Sequence, residues 1–449
     1  MMRVSVIGTG YVGLVSGVCL AETGHQVTCV DIDPSKVDKI NKAIPPIYEK
    51  GLELLLKKNA GVRLHATTRL REAVLESDLS LIAVGTPFDG SAIDLKYIRE
   101  VAREIGEALK DKDSYHVVVV KSTVVPGTTD DVVLPILEQA SGKKAGRDFG
   151  VGMNPEFLRE GEAVDDFMFP DRIVLGGIDA RTQDVMAMLY EVFPHVDKVK
   201  TSAKTAEMIK YTSNSLLATM ISFSNEIGNL CAALGGIDVV DVMKGVHLDK
   251  RLTPILDDGR RIVPVFTTYL EAGCGFGGSC FPKDVKALIV HGQDRGQPMQ
   301  LLDAVIAINE RQPQQILDIL DKRLADVGKS RIGILGLAFK PGTDDMRESP
   351  SIPIVRELQK RGARMKAYDP VAKTEAMHLF GTDHITYTDS LEDTVKDVDA
   401  VVLLTRWPEF KGVGELLKKM GQAPLMIDGR RMLDKDAFDR YDGIGLQTA

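Results

Sequence analysis

Four short apolar runs punctuate the first quarter of the chain: "VSVIG" from Val4, "QVTCV" from Gln26, "LSLIAVG" from Leu79 and "HVVVVKST" from His116. Each is rich in branched residues and bounded by Gly, Asp or Pro, and stretches of helical pattern lie between them. Such alternation predicts a parallel, doubly wound sheet, because strands covered on both faces lose the polar half of their pattern.

From about Thr201 to Arg311 the texture changes. "AKTAEMIKYTSNSLLATMISFSNEIGNLCAAL", Ala203 to Leu234, predicts one long buried helix, suited to join two domains and to carry a dimer interface. Beyond it, "RIGILGLAF" from Arg331 reads as a second opening strand. A weak internal repeat supports this. "GHQVTCVDIDP", Gly24 to Pro34, matches "GARMKAYDP", Gly362 to Pro370, in placing Asp and then Pro after a strand. "SDLSLIAVGTP", Ser77 to Pro87, likewise matches "DVDAVVLLTRWP", Asp397 to Pro408. The expected fold class is α/β: two Rossmann-like doubly wound domains, residues 1–200 and 312–449, joined by a long central helix and a helical middle domain, 201–311.

Composition narrows the function. A chain of 449 residues, 44% hydrophobic and 27% charged, is expected to form two or three globular domains. Its formal charge of -8 argues against nucleic acid or an anionic membrane as partner, since both demand a basic field. No apolar run reaches bilayer length, and with the first strand beginning almost at residue 1 no signal peptide is expected. The five cysteines are odd in number and scattered without a C-x-x-C pair. Neither disulfides nor a metal site is expected, and a reducing cytoplasm is.

"GTGYVG", Gly8 to Gly13, ends the first strand and opens a helix. Gly8 permits the tight turn, Gly10 lets backbone approach a pyrophosphate, and Gly13 allows helix to pack on strand. Asp31 follows about 20 residues on, where a carboxylate accepts bonds from a ribose diol and repels a 2′-phosphate, favouring NAD over NADP. Lys36 is a nearby cation that could soften the preference. "GILGLAFK" lacks the full glycine pattern and is expected to bind a different nucleotide or none.

The other chemical centre is "GCGFGGSCFPKD", Gly273 to Asp284. Pro282 suits a first helical turn, and "FPKDVKALIV" reads as helix, which puts Cys280 at the helix N-terminus. There the dipole and free amides favour thiolate over thiol. A buried capping cysteine is the plainer alternative. Asp284 falls one turn away, Lys283 adds a cation, and Cys274, without such a setting, reads as a core or loop cysteine. In the long helix Lys210 and Asn214 share a face among apolar neighbours, and a lysine there needs a partner or a task. "NPEFLRE" sets Glu156 and Glu160 at i,i+4, able to line one wall of a cleft.

These stretches, with "VGTP", "KSTVVPGTT", "PDRIVLGG", "GLAFKPGTDDMRESP" and "DGRR", resemble the nucleotide-sugar 6-dehydrogenases, the UDP-glucose/GDP-mannose dehydrogenase family, from residue 8 to about 431. That family oxidises a sugar C6 alcohol to a carboxylate with two NAD and one water, through a cysteine thiohemiacetal and thioester. The resemblance implies that Cys280 is the nucleophile, that Lys210 and Asn214 stabilise oxyanions, and that Asp284, Thr123 and Glu156 hold or activate the water. To the NAD site at Gly8, Gly10, Gly13 and Asp31 it adds Tyr11, Val12, Lys36, Thr86, Thr123, Glu160, Lys283 and Arg347. For the nucleotide sugar it implies Glu156, Phe157, Leu158, Arg159, Glu160, Lys210, Asn214, Arg251, the loop Tyr269, Leu270, Glu271, Ala272, Gly273, then Gly277 and Lys340. The first domain would hold NAD and the last would grip UDP.

One departure stands out. "LTPILDDGRRIVPVFTT", residues 252–268, intervenes where the family has only a few residues before "YLEAG". The arginine that reaches a neighbouring subunit's site is expected to be Arg251, with Arg260 and Arg261 as alternatives, in a homodimer or larger homo-oligomer. "PDRIVLGG" favours the UDP-glucose branch over the GDP-mannose branch, with UDP-N-acetylglucosamine a further possibility and a simple two-electron NAD dehydrogenase the less favoured class. "TRWPEF" carries Arg406 where the family often has Glu.

Overall fold

The computed structural model describes residues 1–446. The chain forms two compact units, Met1–Ser213 and a second that opens at Asn214.

The first unit is built on an eight-stranded sheet. Its strands are β1 (Arg3–Ile7), β2 (Gln26–Val30), β3 (Leu64–Thr67), β4 (Leu79–Ile82), β5 (His116–Val120), β6 (Phe149–Met153), β7 (Arg172–Gly177) and β8 (Asp197–Thr201), in the order β3-β2-β1-β4-β5-β6-β7-β8. All neighbours are parallel except β6 and β7. The apolar runs of "LSLI" and "HVVVV" are buried at every position, because helices cover both faces. One face packs on Leu14, Val18, Leu52 and Leu56, the other on Ile98, Ala102, Ile105 and Leu137.

The second sheet is wholly parallel. Its strands are β9 (Arg331–Leu335), β10 (Arg364–Tyr368), β11 (Ile385–Tyr387), β12 (Ala400–Leu403), β13 (Leu425–Asp428) and β14 (Tyr441–Gly443), ordered β11-β10-β9-β12-β13-β14. The repeat in the sequence marks corresponding positions: β2 and β10 each flank the opening strand on one side, β4 and β12 on the other.

The long helix runs from Ala203 to Leu234. Among the described residues no helix is long and apolar enough to cross a membrane, and no His, Cys, Asp and Glu side chains cluster as for a metal ion.

Candidate active site

In the first unit, the glycine loop between β1 and the helix Tyr11–Glu22 has the shape its sequence calls for. Gly8 takes φ +95°, and a Cβ there would lie 2.7 Å from the Ala83 carbonyl oxygen. Gly13 packs so closely that a Cβ would collide with the Gly8 carbonyl, whereas a Cβ on Gly10 would meet nothing within 4 Å. Gly10 caps the helix without a side-chain bond, so the first amides and the open space above Gly10 form an anion cradle of the kind a dinucleotide pyrophosphate fills. Asp31, directly after β2, accepts the Thr9 N–H at 2.9 Å, the Thr9 hydroxyl and the Asp33 N–H at 3.0 Å. Burial raises its carboxyl, but the Thr9 and Asp33 bonds and Lys36, 3.9 Å away, outweigh it and leave it below the usual range.

The remaining candidates of this unit adjoin that loop or the next segments of the sheet. The Tyr11 hydroxyl donates to Glu49, whose carboxylate also accepts the Gly161 N–H at 2.7 Å and the Ala163 N–H at 3.0 Å. Glu49 thereby ties the glycine loop to the end of the "NPEFLREGEA" segment, a role no pattern in the sequence signalled. Thr86 donates through its hydroxyl to the Thr123 carbonyl at 2.8 Å, so these two candidates lie together.

The segment after β6 departs from expectation. Residues 154–159 are irregular rather than helical, so the i,i+4 spacing of Glu156 and Glu160 does not put them on one helical face. Pro155 disfavours helix at Asn154, and the Asn154 side chain is spent on the Val174 carbonyl, the Tyr190 hydroxyl and Lys121. Glu156 instead folds back, accepting the Leu158 N–H at 2.7 Å and pairing with Lys210 at 3.0 Å, both side chains 5% exposed. Burial pushes the Glu156 carboxyl up, yet Lys210, the Leu158 amide and Lys121 hold it below the usual range. Phe157 lies under the Arg172 guanidinium at 3.9 Å and 5.4 Å from the Lys210 ammonium. Arg159 turns onto Asp166 and Glu162. Lys121 escaped the sequence reading: it is buried, and desolvation brings its ammonium down to about 8.

In the second unit the thiol loop is held from several sides. Asn225, on the long helix, accepts the Gly273 N–H at 2.8 Å, and Gln312 donates to the Gly273 carbonyl at 2.9 Å. Asn309 clasps Phe276 through both its N–H and its carbonyl. The Cys274 N–H donates to the Gly429 carbonyl, and Arg430 donates to that of Gly275. A Cβ on Gly277 would lie 2.2 Å from the Glu348 carbonyl oxygen, which explains why glycine stands there. Cys274 is fully buried and its thiol pushed up by desolvation, as a core cysteine should be.

Cys280 is half-buried and occupies the N-cap of the helix Phe281–Asp294, with Pro282 in its first turn. The Asp284 N–H donates to the Cys280 carbonyl at 2.8 Å. The Asp284 carboxylate is fully buried, accepts the Asn214 amide at 2.7 Å and pairs with Lys283 at 2.7 Å. Cys280, Lys283, Asp284 and Asn214 thus gather at one helix start.

Elsewhere in this unit, the Glu271 carboxylate pairs with Arg406, which also donates twice to the Arg430 carbonyl. The Lys340 ammonium lies 5.8 Å from the Phe339 ring, and Arg347 pairs with Asp345 at 2.8 Å. Arg261 bonds to the Leu248 and Thr253 carbonyls and the Thr253 hydroxyl, so it staples its own loop. Arg251 stands out at 85% side-chain exposure, paired with Asp249.

Family models match in chain order. That described as the NAD binding domain of the UDP-glucose/GDP-mannose dehydrogenase family covers residues 2–194, the central domain 204–311 and the UDP binding domain 333–435. A UDP-glucose 6-dehydrogenase of Haloferax volcanii is 42% identical over 99% of this chain and 100% of its own, and one of Bacillus subtilis 44% identical over 99% and 93%. The solved structure of a UDP-glucose dehydrogenase from Pyrobaculum islandicum superposes with TM-score 0.89 at 39% identity, covering 99% of this chain and 98% of that one. With a glycine cradle and ribose-type carboxylate in one unit, a cysteine-capped helix in the other, and these matches along nearly all its length, the chain belongs to the UDP-glucose/GDP-mannose dehydrogenase family, with NAD as its cofactor.

Proposed function

We propose that this protein oxidises UDP-glucose at C6 to UDP-glucuronate, with two NAD reduced per sugar. The observation that carries the reading is Cys280 at an N-cap beside a buried Asp284 and Asn214, in a chain whose full-length relatives carry the name of that activity. NAD, when bound, takes up hydride. In the first oxidation the C6 hydroxyl loses a proton and C6 a hydride, giving an aldehyde. The Cys280 sulfur adds to it, and the resulting thiohemiacetal loses a proton from its hydroxyl and a second hydride from its C–H, leaving a thioester. Water adds to the thioester, the C–S bond breaks, and the acid and the Cys280 thiolate are released. The dipole at the start of the helix Phe281–Asp294 favours that thiolate as attacking and as leaving group.

The roles of the other groups are those the family resemblance implies. Lys210 and Asn214 stabilise the oxyanions, while Asp284, Thr123 and Glu156 hold the water. Gly8, Gly10, Gly13 and Asp31 hold the dinucleotide, with Tyr11, Val12, Lys36, Thr86, Thr123, Glu160, Lys283 and Arg347 beside it. Glu156 to Glu160, Lys210, Asn214, Arg251, Tyr269 to Gly273, Gly277 and Lys340 take the nucleotide sugar. The three regions 1–200, 201–311 and 312–449 serve as NAD-binding, central and UDP-sugar-binding domains. The enzyme works as a homodimer or larger homo-oligomer. Leu216, Met220, Phe223, Ile227, Leu230 and Leu234 repeat at spacings of four and three along the long helix, and Leu216, Phe223, Leu230 and Leu234 are exposed. All five cysteines are free, which suits the cytoplasm.

The test is NADH formed to completion from limiting UDP-glucose, beside GDP-mannose and UDP-N-acetylglucosamine, for wild type and Cys280→Ser. About two NADH per UDP-glucose, lost in the variant while NAD still binds, is expected. A yield of one, or an active variant, refutes the thioester route; a yield of two from another sugar alone moves the substrate and leaves the route.

A further inference from the structure

Glu207 is fully buried, carries a carboxylate, and has no part in the chemistry above. It sits on the long helix with both oxygens turned to one loop. Oε2 accepts the Gly127 N–H at 2.6 Å, and Oε1 accepts the Thr129 N–H at 2.8 Å and the Thr129 hydroxyl at 2.7 Å. Those amides open a helical run, wound as a π-helix over Thr129–Val133 and as an α-helix over Leu134–Ser141. A carboxylate from a distant element thus supplies the N-terminal cap that the run's own Thr128 does not.

This arrangement is costly. The charge that bears on the carboxylate is Asp130, which repels it, and Lys204, on the same helix, is engaged with Asp131 at 3.5 Å. Burial pushes the Glu207 carboxyl up to about 7, against the pull of the Thr129 and Gly127 bonds. A neutral hydroxyl or amide cap would satisfy such amides without burying a charge. What the distant carboxylate adds is a fastening between loop and long helix, and π-helical turns recur where position matters more than stability.

The fastened loop bears Thr123. Its other end is tied down as well, the Ser122 hydroxyl donating to the Val84 carbonyl at 2.7 Å and Thr86 to the Thr123 carbonyl at 2.8 Å. Three residues along the long helix from Glu207, on the same side, Lys210 pairs with Glu156. One turn of helix therefore grips two segments that carry candidate groups.

We propose that Glu207 is a positioning residue, which by gripping Gly127 and Thr129 sets the loop bearing Thr123 in register with the helical turn bearing Lys210. The inference rests on the reading of Thr123 as a group that holds the attacking water.

The experiment uses the full-length enzyme with NAD and UDP-glucose, in the variants Glu207→Gln, Thr129→Val, Thr123→Ala and Glu207→Gln/Thr123→Ala. Glutamine keeps the shape but turns a donor onto one of the two N–H groups, so one grip is lost. The expected result is a roughly ten-fold fall in kcat with both KM values within about two-fold. Thr129→Val, which loses only the hydroxyl bond, should fall about three-fold. The double variant should be no slower than Thr123→Ala, because Glu207 acts through that loop. A merely structural carboxylate would leave kcat of the folded enzyme unchanged, or would add its effect to that of Thr123→Ala; either outcome overturns the proposal. Should Glu207→Gln fail to fold, Thr129→Val alone and combined with Thr123→Ala decides by the same comparison. If Thr123→Ala itself keeps full kcat, the reading of Thr123 fails and the proposal with it. If Thr123→Ala is slow while Glu207→Gln is not, the proposal alone fails.

Discussion

Glu156 and its two lysines make an asymmetric prediction. Lys210 pairs with the carboxylate at 3.0 Å, with both side chains 5% exposed, and Lys121, also buried, adds a second cation that holds the carboxyl down. Removing one member of a buried pair costs about 3–5 kcal/mol, because the survivor is left charged and dry. Glu156→Gln removes the anion that pairs with Lys210 and also acts on buried Lys121, and should cost the full amount. Lys210→Met leaves Glu156 with the Leu158 N–H at 2.7 Å and with Lys121, and should cost about half as much. Urea unfolding at pH 7, followed by circular dichroism, reads both. In wild type the Glu156 contribution is full above the unfolded carboxyl value near 4.3 and disappears as pH falls through the lower folded value. If Lys210→Met costs as much as Glu156→Gln, Lys121 does not share the carboxylate. If both fall within about 1 kcal/mol of wild type, the pair behaves as a surface pair and its burial counts for nothing.

Lys121 gives a pH signature of its own: with a folded value of about 8 against about 10.4 unfolded, the native state releases its proton first, so stability should rise from pH 8 toward 10.4. Lys121→Met should abolish that rise in a series of thermal melts, and an unchanged slope would assign it to other groups. The Arg406–Glu271 pair fastens the "YLEAG" loop, so Arg406→Glu or Glu271→Arg should raise KM for UDP-glucose about ten-fold with KM for NAD unchanged, and the double reversal should recover most of it. Singles without effect, or a double that stays impaired, would refute the fastening role. On the exposed heptad of the long helix, Phe223→Asp should shift the sedimenting species to the monomer; an unchanged assembly would place the interface elsewhere.

How much of this the sequence carried depended on how local each feature is. Both sheets were legible because fully buried parallel strands leave continuous runs such as "HVVVV", and the long helix because its pattern persists from Ala203 to Leu234. Cys280 as a helix cap could be read from Pro282 two residues on. The i,i+4 spacing of Glu156 and Glu160 gave no shared helical face, because Pro155 disfavours helix at Asn154, whose side chain is spent on the distant Val174 carbonyl. Glu49, Lys121, Glu207, Asn225, Asn309 and Gln312 were out of reach. Each works by gripping a group distant in sequence, as Glu207 does 80 residues from Gly127, and no spacing rule encodes that. The consequence of Arg406 was hidden in the same way, since its partner Glu271 lies 135 residues away.

The two opening loops differ in more than the count of glycines. Each places an aspartate directly after its second strand, Asp31 after β2 and Asp369 after β10. Among the described residues Asp31 receives hydrogen bonds from Thr9 and Asp33, and Oδ1 takes a single donor, so the carboxylate keeps capacity for a ribose diol. Asp369 accepts the N–H groups of Leu337, Ala338, Val371 and Ala372 and the Trp407 indole N–H, five donors on a carboxylate with about four lone-pair sites. It is saturated, and nothing remains for a ribose. The amides it binds include the first two after Gly336, whereas the corresponding loop Gly8–Gly13 gives its aspartate the amide of Thr9. Two sheets of one plan therefore differ in the occupancy of the carboxylate after the second strand, with an NAD binding domain matching the first and a UDP binding domain the second.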